Sequence, residues 1–328
     1  MKRTIERRTV LGASLAALGA WPLGAGPAAA QNFPSKPMRW VIPFAAGGNY
    51  DVTARLVGEA MGRRLGQSVV PDNRPGAGGI VGLEAAANAP ADGYTVVMGS
   101  FSVMWIAPYL AGKPSLVPLF APISLLTTVP MVIVTKADGR FADIKAALGE
   151  ARAKPGTVSI GHAGNGTTNH IGILRLQLNE RVQFNIIPYK GSGPGLADLL
   201  AGQIDLYADQ LTSSLPHIKA GKLRALLLLG ADRIAQLPDA PSLRDIGSAP
   251  FDGGTTAGVL ARAETPPASL DILNGAVVAA LKDAEVSRKL VELGAEVRPT
   301  TRAEFAAYLK DQEAGVSELV KSGLLKPE

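Results

Sequence analysis

The chain has 328 residues, 47% of them hydrophobic and 19% charged, a size and balance that suit two ordinary domains and exclude a disordered protein. It has no cysteine, which excludes disulfides, thiolate metal sites, cysteine nucleophiles and a lipid-modified cysteine. Of the formal net charge of +5, four cations (Lys2, Arg3, Arg7, Arg8) against Glu6 hold +3, leaving +2 for the rest; no basic run follows, so no nucleic acid partner is expected.

Residues 1–30 read as a signal peptide. The basic start precedes an uncharged Leu- and Ala-rich run, Thr9 to Ala20, then Pro22, Gly24 and Pro27, with Ala28 and Ala30 forming a small-residue cleavage site. Arg7-Arg8 resembles a twin-arginine signal, although Glu6 stands where Ser or Thr is usual, so either export route fits. The run is too short and too broken to span a bilayer well.

From Pro37 onward strands and helices alternate. The pattern predicts a strand over Arg39 to Phe44, a helix over Asp51 to Leu65, and strands at Ser68 to Asp72 and Tyr94 to Gly99 with a helix over Val81 to Asn88 between them. Residues 106–122 hold four prolines and read as a connecting stretch. Ile123 to Thr135 is a β-like run interrupted by Pro130 that could cross between two lobes. A second alternation follows, with a helix near Ile144 to Ala153 and strands near Val158 to His162 and Phe184 to Pro188. Next come a helix from Gly195 to Leu200, a strand from Ile204 to Ala208 and the apolar run Leu223 to Gly230. A strand near Ala257 to Ala261 and helices around Ala268 to Lys282, Ala284 to Leu293 and Arg302 to Lys321 close the chain. The strand–helix–strand order predicts parallel pairing with helices on both faces. The final helices have too few strands for a sheet of their own, so they are expected to pack back on the first lobe.

Two loops each follow a strand and precede a helix: Pro43 to Asp51, with Gly47-Gly48, and Gly161 to His170, with Gly164 and Gly166. Glycines admit positive φ and close ligand approach. A helix start adds free N–H groups and a positive dipole end, which together suit an anion. A plain tight turn fits either loop too, and the pattern leaves both readings open. The first loop lacks the dinucleotide-binding spacing, and no phosphate-binding Gly-Lys-Ser/Thr motif occurs. His162, His170 and His217 form no metal motif, so no metal is expected. No Gly-x-Ser-x-Gly elbow is present. Asp205 and Asp209, four apart on one strand face, read more readily as capping or surface residues than as a catalytic pair.

The motifs in order resemble the Bug-type receptors, the periplasmic substrate-binding components of tripartite tricarboxylate transporters. They are Pro43-Phe44-x-x-Gly47-Gly48-x-x-Asp51 with Ala54-Arg55; Asn73-Arg74-Pro75-Gly76-Ala77-Gly78-Gly79; Ala91-Asp92-Gly93-Tyr94-Thr95; and Ala163-Gly164-Asn165-Gly166-Thr167 with His170. Pro188-Tyr189-Lys190-Gly191, Gly202-Gln203-Ile204-Asp205, Ala220 to Leu226 and Leu237 to Pro241 continue the match.

The resemblance implies an α/β, two-lobed type II periplasmic binding protein fold, each lobe a mostly parallel sheet with helices on both faces and two crossovers between lobes. Residues 31–125 and 252–328 would form one lobe and 126–251 the other. It implies a receptor, not an enzyme, that needs no cofactor, binds a small organic acid and passes it to membrane transporter subunits. A monomer is expected. Phe44, Ala46, Gly47, Gly48, Asn49 and Asp51 would hold the ligand carboxylate from one side. Ala163, Gly164, Asn165, Gly166, Thr167, Thr168 and His170 would hold it from the other, largely through backbone N–H groups and bridging waters. Ser100 and Asp209 match positions that face the cleft.

The chain departs from the family pattern at Ser115 to Phe120, at Gly254-Thr255-Thr256, where Ser-Trp is frequent, and at Ala261 to Pro266. These changes touch the hinge and cleft wall, so the resemblance implies less about the ligand's far end. A sensory receptor facing a membrane kinase would show the same residues, and an exported hydrolase is the rival from another class.

Overall fold

The computed structural model describes residues 33–321, 323 and 325–327. The expected signal peptide, residues 1–30, lies outside the described residues.

The opening alternation is β1 (Met38–Ile42), α1 (Asn49–Leu65), β2 (Val69–Asn73), α2 (Ile80–Ala87) and β3 (Thr95–Gly99). β1 runs parallel to both β2 and β3. α1 carries Asp51 in its first turn and Arg63 and Arg64 in its last, which complements its dipole. It ends at Gly66, whose φ of 65° is the left-handed cap that glycine adopts without strain.

The stretch expected to be only a connection is partly helical. A π-helical turn at Ser102–Ile106 leads into α3 (Ala107–Leu110), and a 3-10 turn follows at Val117–Leu119. Pro108 lies in the first turn of α3, directly after the π-helical turn.

β4 (Phe120–Val129) and β5 (Met131–Lys136) are the two halves of the long β-like run, and they belong to different sheets. Pro130 separates them, because it has no N–H for either ladder. The second alternation is α4 (Ile144–Ala153), β6 (Ser159–His162), α5 (Thr168–Glu180), β7 (Asn185–Pro188), α6 (Ser192–Leu200), β8 (Leu206–Gln210), α7 (Leu211–Lys219) and β9 (Leu223–Leu228). Asp143 caps α4 by accepting the Ala146 N–H at 2.9 Å. The return consists of β10 (Thr255–Arg262), α8 (Pro267–Lys282), α9 (Ala284–Glu292), β11 (Glu296–Val297) and α10 (Arg302–Lys321).

The strands form a six-stranded sheet in the order β11-β4-β10-β3-β1-β2 and a five-stranded sheet in the order β7-β6-β8-β5-β9. Both sheets are mixed, where mostly parallel pairing was expected. β10 is antiparallel to β3 and β4, and β5 is antiparallel to β8 and β9. The reason is the crossing itself: β4 and β5 carry the chain between sheets with no intervening helix, and β10 re-enters the first sheet from the other end. α7 and β11 were not foreseen. α7 reads LTSSLPHIK, whose Ser, Thr and internal Pro216 conceal the helical period; β11 is only two residues long.

Trp40, Met98 and Phe305 are fully buried against the first sheet, and Ile133, Leu206 and Leu227 against the second. Burial of each such side chain contributes about 1.5–3 kcal/mol. This core holds the strand ends in place, and the loops that leave them inherit that rigidity.

Candidate ligand-binding site

α1 and α5 both begin at the carboxyl ends of strands, one in each sheet. Gly48 caps α1 with φ −88° and offers no side-chain acceptor. The first N–H groups of a helix have no intrahelical partner. Thr167 caps α5; its hydroxyl accepts the His170 N–H at 3.4 Å and donates to the Gly164 carbonyl at 2.7 Å.

The first turns of the two helices border one small cavity, partly open to solvent. Phe44, Gly48, Asn49 and Tyr50 face it from one sheet, and Ala163, Thr167, Thr168 and Asn169 from the other. Ser100, Ser102 and Val103 follow β3 into its wall. Ser192 at the start of α6, Gln210 at the end of β8 and Thr255 at the start of β10 complete it. Among the described residues no charged side chain lines this cavity. Its polar surface is hydroxyl, amide and peptide.

Both loops are held rigid by groups behind them. The Asp51 carboxylate accepts the Gly47 N–H at 3.0 Å, Arg55 Nε at 3.0 Å and Asn73 Nδ2 at 3.1 Å. Burial raises the Asp51 pKa, but Arg55, the Gly47 N–H and Asn73 outweigh it and leave the carboxyl below its ordinary value. In the second loop, His162 Nδ1 accepts the Gly164 N–H at 3.2 Å and His170 Nδ1 accepts the Gly166 N–H at 3.3 Å. The two rings stack with centroids 4.6 Å apart. Burial, joined by the charge of His170, pushes His162 down to about 3, and burial alone pushes His170 down to about 4. Both rings are therefore neutral at physiological pH and act as acceptors. Three glycine N–H groups thus hold the loops in shape.

The two lobes touch around the cavity. The Ala45 N–H donates to the Lys190 carbonyl at 2.9 Å, and the Thr212 hydroxyl donates to Asn49 Oδ1 at 2.7 Å. Thr255 hydrogen-bonds Thr168 and accepts from Gln210 Nε2 at 3.1 Å. Backbone also meets backbone: a Cβ on Gly193 would run into the Ala46 carbonyl oxygen, and one on Gly166 into Ala107.

Of the residues expected from the sequence, the structure brings Phe44, Gly48, Asn49, Ser100, Ala163, Thr167 and Thr168 together on the cavity wall. Gly47 and Asp51 brace the first loop, and Gly166 and His170 the second. Ala46 meets Gly193 across the lobes, and Gly164 and Asn165 line a separate interlobe groove with Tyr189 and Lys190. Asp209 lies behind the wall, fully buried, with Ser213 donating to it at 2.6 Å. Burial pushes its carboxyl up to about 6 against the pull of the Ser192 and Ser213 hydroxyls.

Sequence reasoning missed Ser102, Val103, Ser192 and Gln210; it included Tyr50 and Asn169 only as members of the two loops, and Thr255 only as a departure from the family pattern at the cleft wall. Several adjoin quoted motifs: Ser192 follows Pro188-Tyr189-Lys190-Gly191, and Gln210 follows Asp209. Among the described residues no cluster suits a metal ion, and no helix is long and apolar enough to cross a membrane.

Residues 53–324 match the model of the tripartite tricarboxylate transporter family receptor. The protein BugT of Bordetella pertussis is 33% identical over 296 residues, covering 88% of this chain and 89% of its own. Among solved structures, the periplasmic binding protein BugD is 32% identical with a TM-score of 0.84, covering 90% of this chain and 100% of its own. MatC from Rhodopseudomonas palustris, solved with bound malate, is 30% identical with a TM-score of 0.81, over 88% of this chain and 100% of its own. A second R. palustris protein, solved with adipate, is 27% identical with a TM-score of 0.85, over 90% of this chain and 100% of its own. The chain belongs to the tripartite tricarboxylate transporter receptor family, a family of two-lobed solute-binding receptors and not of enzymes.

Proposed function

We propose that this chain is an exported, monomeric receptor that holds the carboxylate of a small organic acid between the first turns of α1 and α5 and delivers it to a membrane transporter. The carrying observation is the convergence of two helix starts, one from each sheet, on a single cavity without charged side chains. Helix starts present N–H donors and the positive end of the dipole, so they hold an anion without a formal counter-charge. Malate and adipate, present in the two R. palustris relatives, are both carboxylates, which supports the reading. The hydroxyls of Ser100, Thr168 and Thr255 and the amides of Asn49 and Gln210 border the same cavity, and in this reading they orient the ligand directly or through water. Residues 31–125 with 252–328, and 126–251, are the two lobes of this reading, hinged at Pro130 and at Gly253-Gly254. Residues 1–30 direct export and are removed.

Calorimetry with a panel of mono-, di-, tri- and aromatic carboxylates tests the proposal. At least one is expected to bind. Gly48→Val should weaken that binding roughly tenfold or more, a loss of about 1.4 kcal/mol per tenfold. Gly48 has φ −88°, which any residue adopts, and an added Cβ first meets Ser192 at 3.4 Å; thermal unfolding of the variant checks that the valine methyls are accommodated. A folded variant with unchanged affinity refutes the grip.

A further inference from the structure

A second, larger space adjoins the cavity. It is partly open to solvent and shares Ser100, Ser102 and Thr168 with the cavity wall. The Ser100 and Ser102 hydroxyls are 3.0 Å apart and, with Thr168, form the neck between the two spaces. Beyond the neck stand Arg175 of α5, Arg298 after β11 and Tyr308 of α10. Both arginines are half-buried. Arg298 donates to the Thr128 hydroxyl at 3.3 Å, and the Arg175 guanidinium lies 5.4 Å from the centroid of the Phe251 ring. Among the described residues neither arginine forms an ion pair. Asp252 and Asp311 also border the space, but both are exposed. Asp252 already accepts the Gly254 N–H at 2.8 Å.

We propose that this chamber is the subsite for the far end of the ligand, and that its occupant is the second anionic group of an elongated organic dianion. The inference rests on the first cavity being the carboxylate grip. With one carboxylate at the helix starts, a methylene or aromatic body passes the neck along Phe101, Ile106 and Ile171. The distal carboxylate then meets Arg298 and Arg175, one from each lobe. A guanidinium offers paired donors that match a carboxylate, and partial burial strengthens that pairing relative to the solvated aspartates. Because the two arginines belong to different lobes, a dianion long enough to reach both also draws the lobes together.

The test is calorimetry on the mature chain with matched pairs: adipate against hexanoate, suberate against octanoate, terephthalate against benzoate. The dianion of at least one pair is expected to bind roughly tenfold or more tightly than its monoanion. Arg298→Gln and Arg175→Gln should each shrink that ratio toward one, and Arg298→Lys should restore part of it. Thermal unfolding of the ligand-free variants checks that they fold. Equal affinity within every pair, or equal losses for both members in the arginine variants, overturns the subsite and leaves the grip standing. Failure of every mono- and dianion to bind overturns the grip and the subsite together.

Discussion

His162 and His170 are acceptors for the loop that surrounds them, and that role makes the fold sensitive to acid. Burial holds both below the ordinary histidine value, at about 3 and about 4. A depressed folded pKa contributes stability that is present above about 6.5 and is lost as pH falls through the folded values. Asp209 works the other way. Its carboxyl is raised to about 6, so its contribution is present below about 3.8 and is lost as pH rises through 6. Between pH 6 and 4 the unfolded chain holds about two histidine protons, while the folded chain holds about one, on Asp209. These three groups together should therefore make stability fall with acid at a slope of about one proton, or about 1.4 kcal/mol per pH unit, with the lowered carboxyls such as Asp51 adding to the loss near pH 4. Asp209→Asn should steepen this loss, and His170→Gln should flatten it. Denaturant unfolding measured at pH 4, 5, 6 and 7 reads both slopes; no change in either variant refutes the assignment.

The start of α6 matters because of what it meets across the cleft. Gly193 lies outside the left-handed φ region, so alanine there suits the helix and improves its propensity. The cost of Gly193→Ala falls only on the approach of α6 to Ala46. The ligand-free variant should unfold at the wild-type temperature or above it, while ligand affinity drops roughly tenfold or more. Loss of stability without loss of affinity would place the glycine in packing instead.

This contact also marks the limit of what could be read from the sequence. Helix α1 was legible from its period, its acidic first turn and its terminal Gly66. The two glycine loops were legible because strand, glycine and helix follow in order. Ser192 was not, because it reaches the cavity only through lobe packing, and Thr255 was legible only as a departure from the family pattern at the cleft wall. Asp209 carried a family likeness to the cleft, yet β8 turns it inward, one residue before Gln210, which does reach the wall. Arg175 and Arg298 lie in unremarkable stretches 123 positions apart, and only the fold makes them neighbours.

At the scale of the whole molecule, the lobes meet through hydrogen bonds that include Ala45 to Lys190 and Thr212 to Asn49. A ligand that binds this closed arrangement better than an open one shifts the balance toward closure. The radius of gyration from small-angle scattering should decrease when a bound carboxylate is added. Ligand at 100 times its Kd should raise the unfolding free energy by about 2.7 kcal/mol. An unchanged radius at saturation would mean that the lobes do not move.

The cavity wall without charged side chains has one more consequence. If the chain works outside the cytoplasm, as proposed, the ionic strength around it follows the medium. Salt weakens attraction between exposed charges, but it acts little on short-range donors inside a closed cleft. A receptor whose grip is built from peptide N–H groups and hydroxyls keeps its hold on a simple acid across such changes. Any dependence on salinity then enters through the ligand's far end, where Arg175 and Arg298 stand.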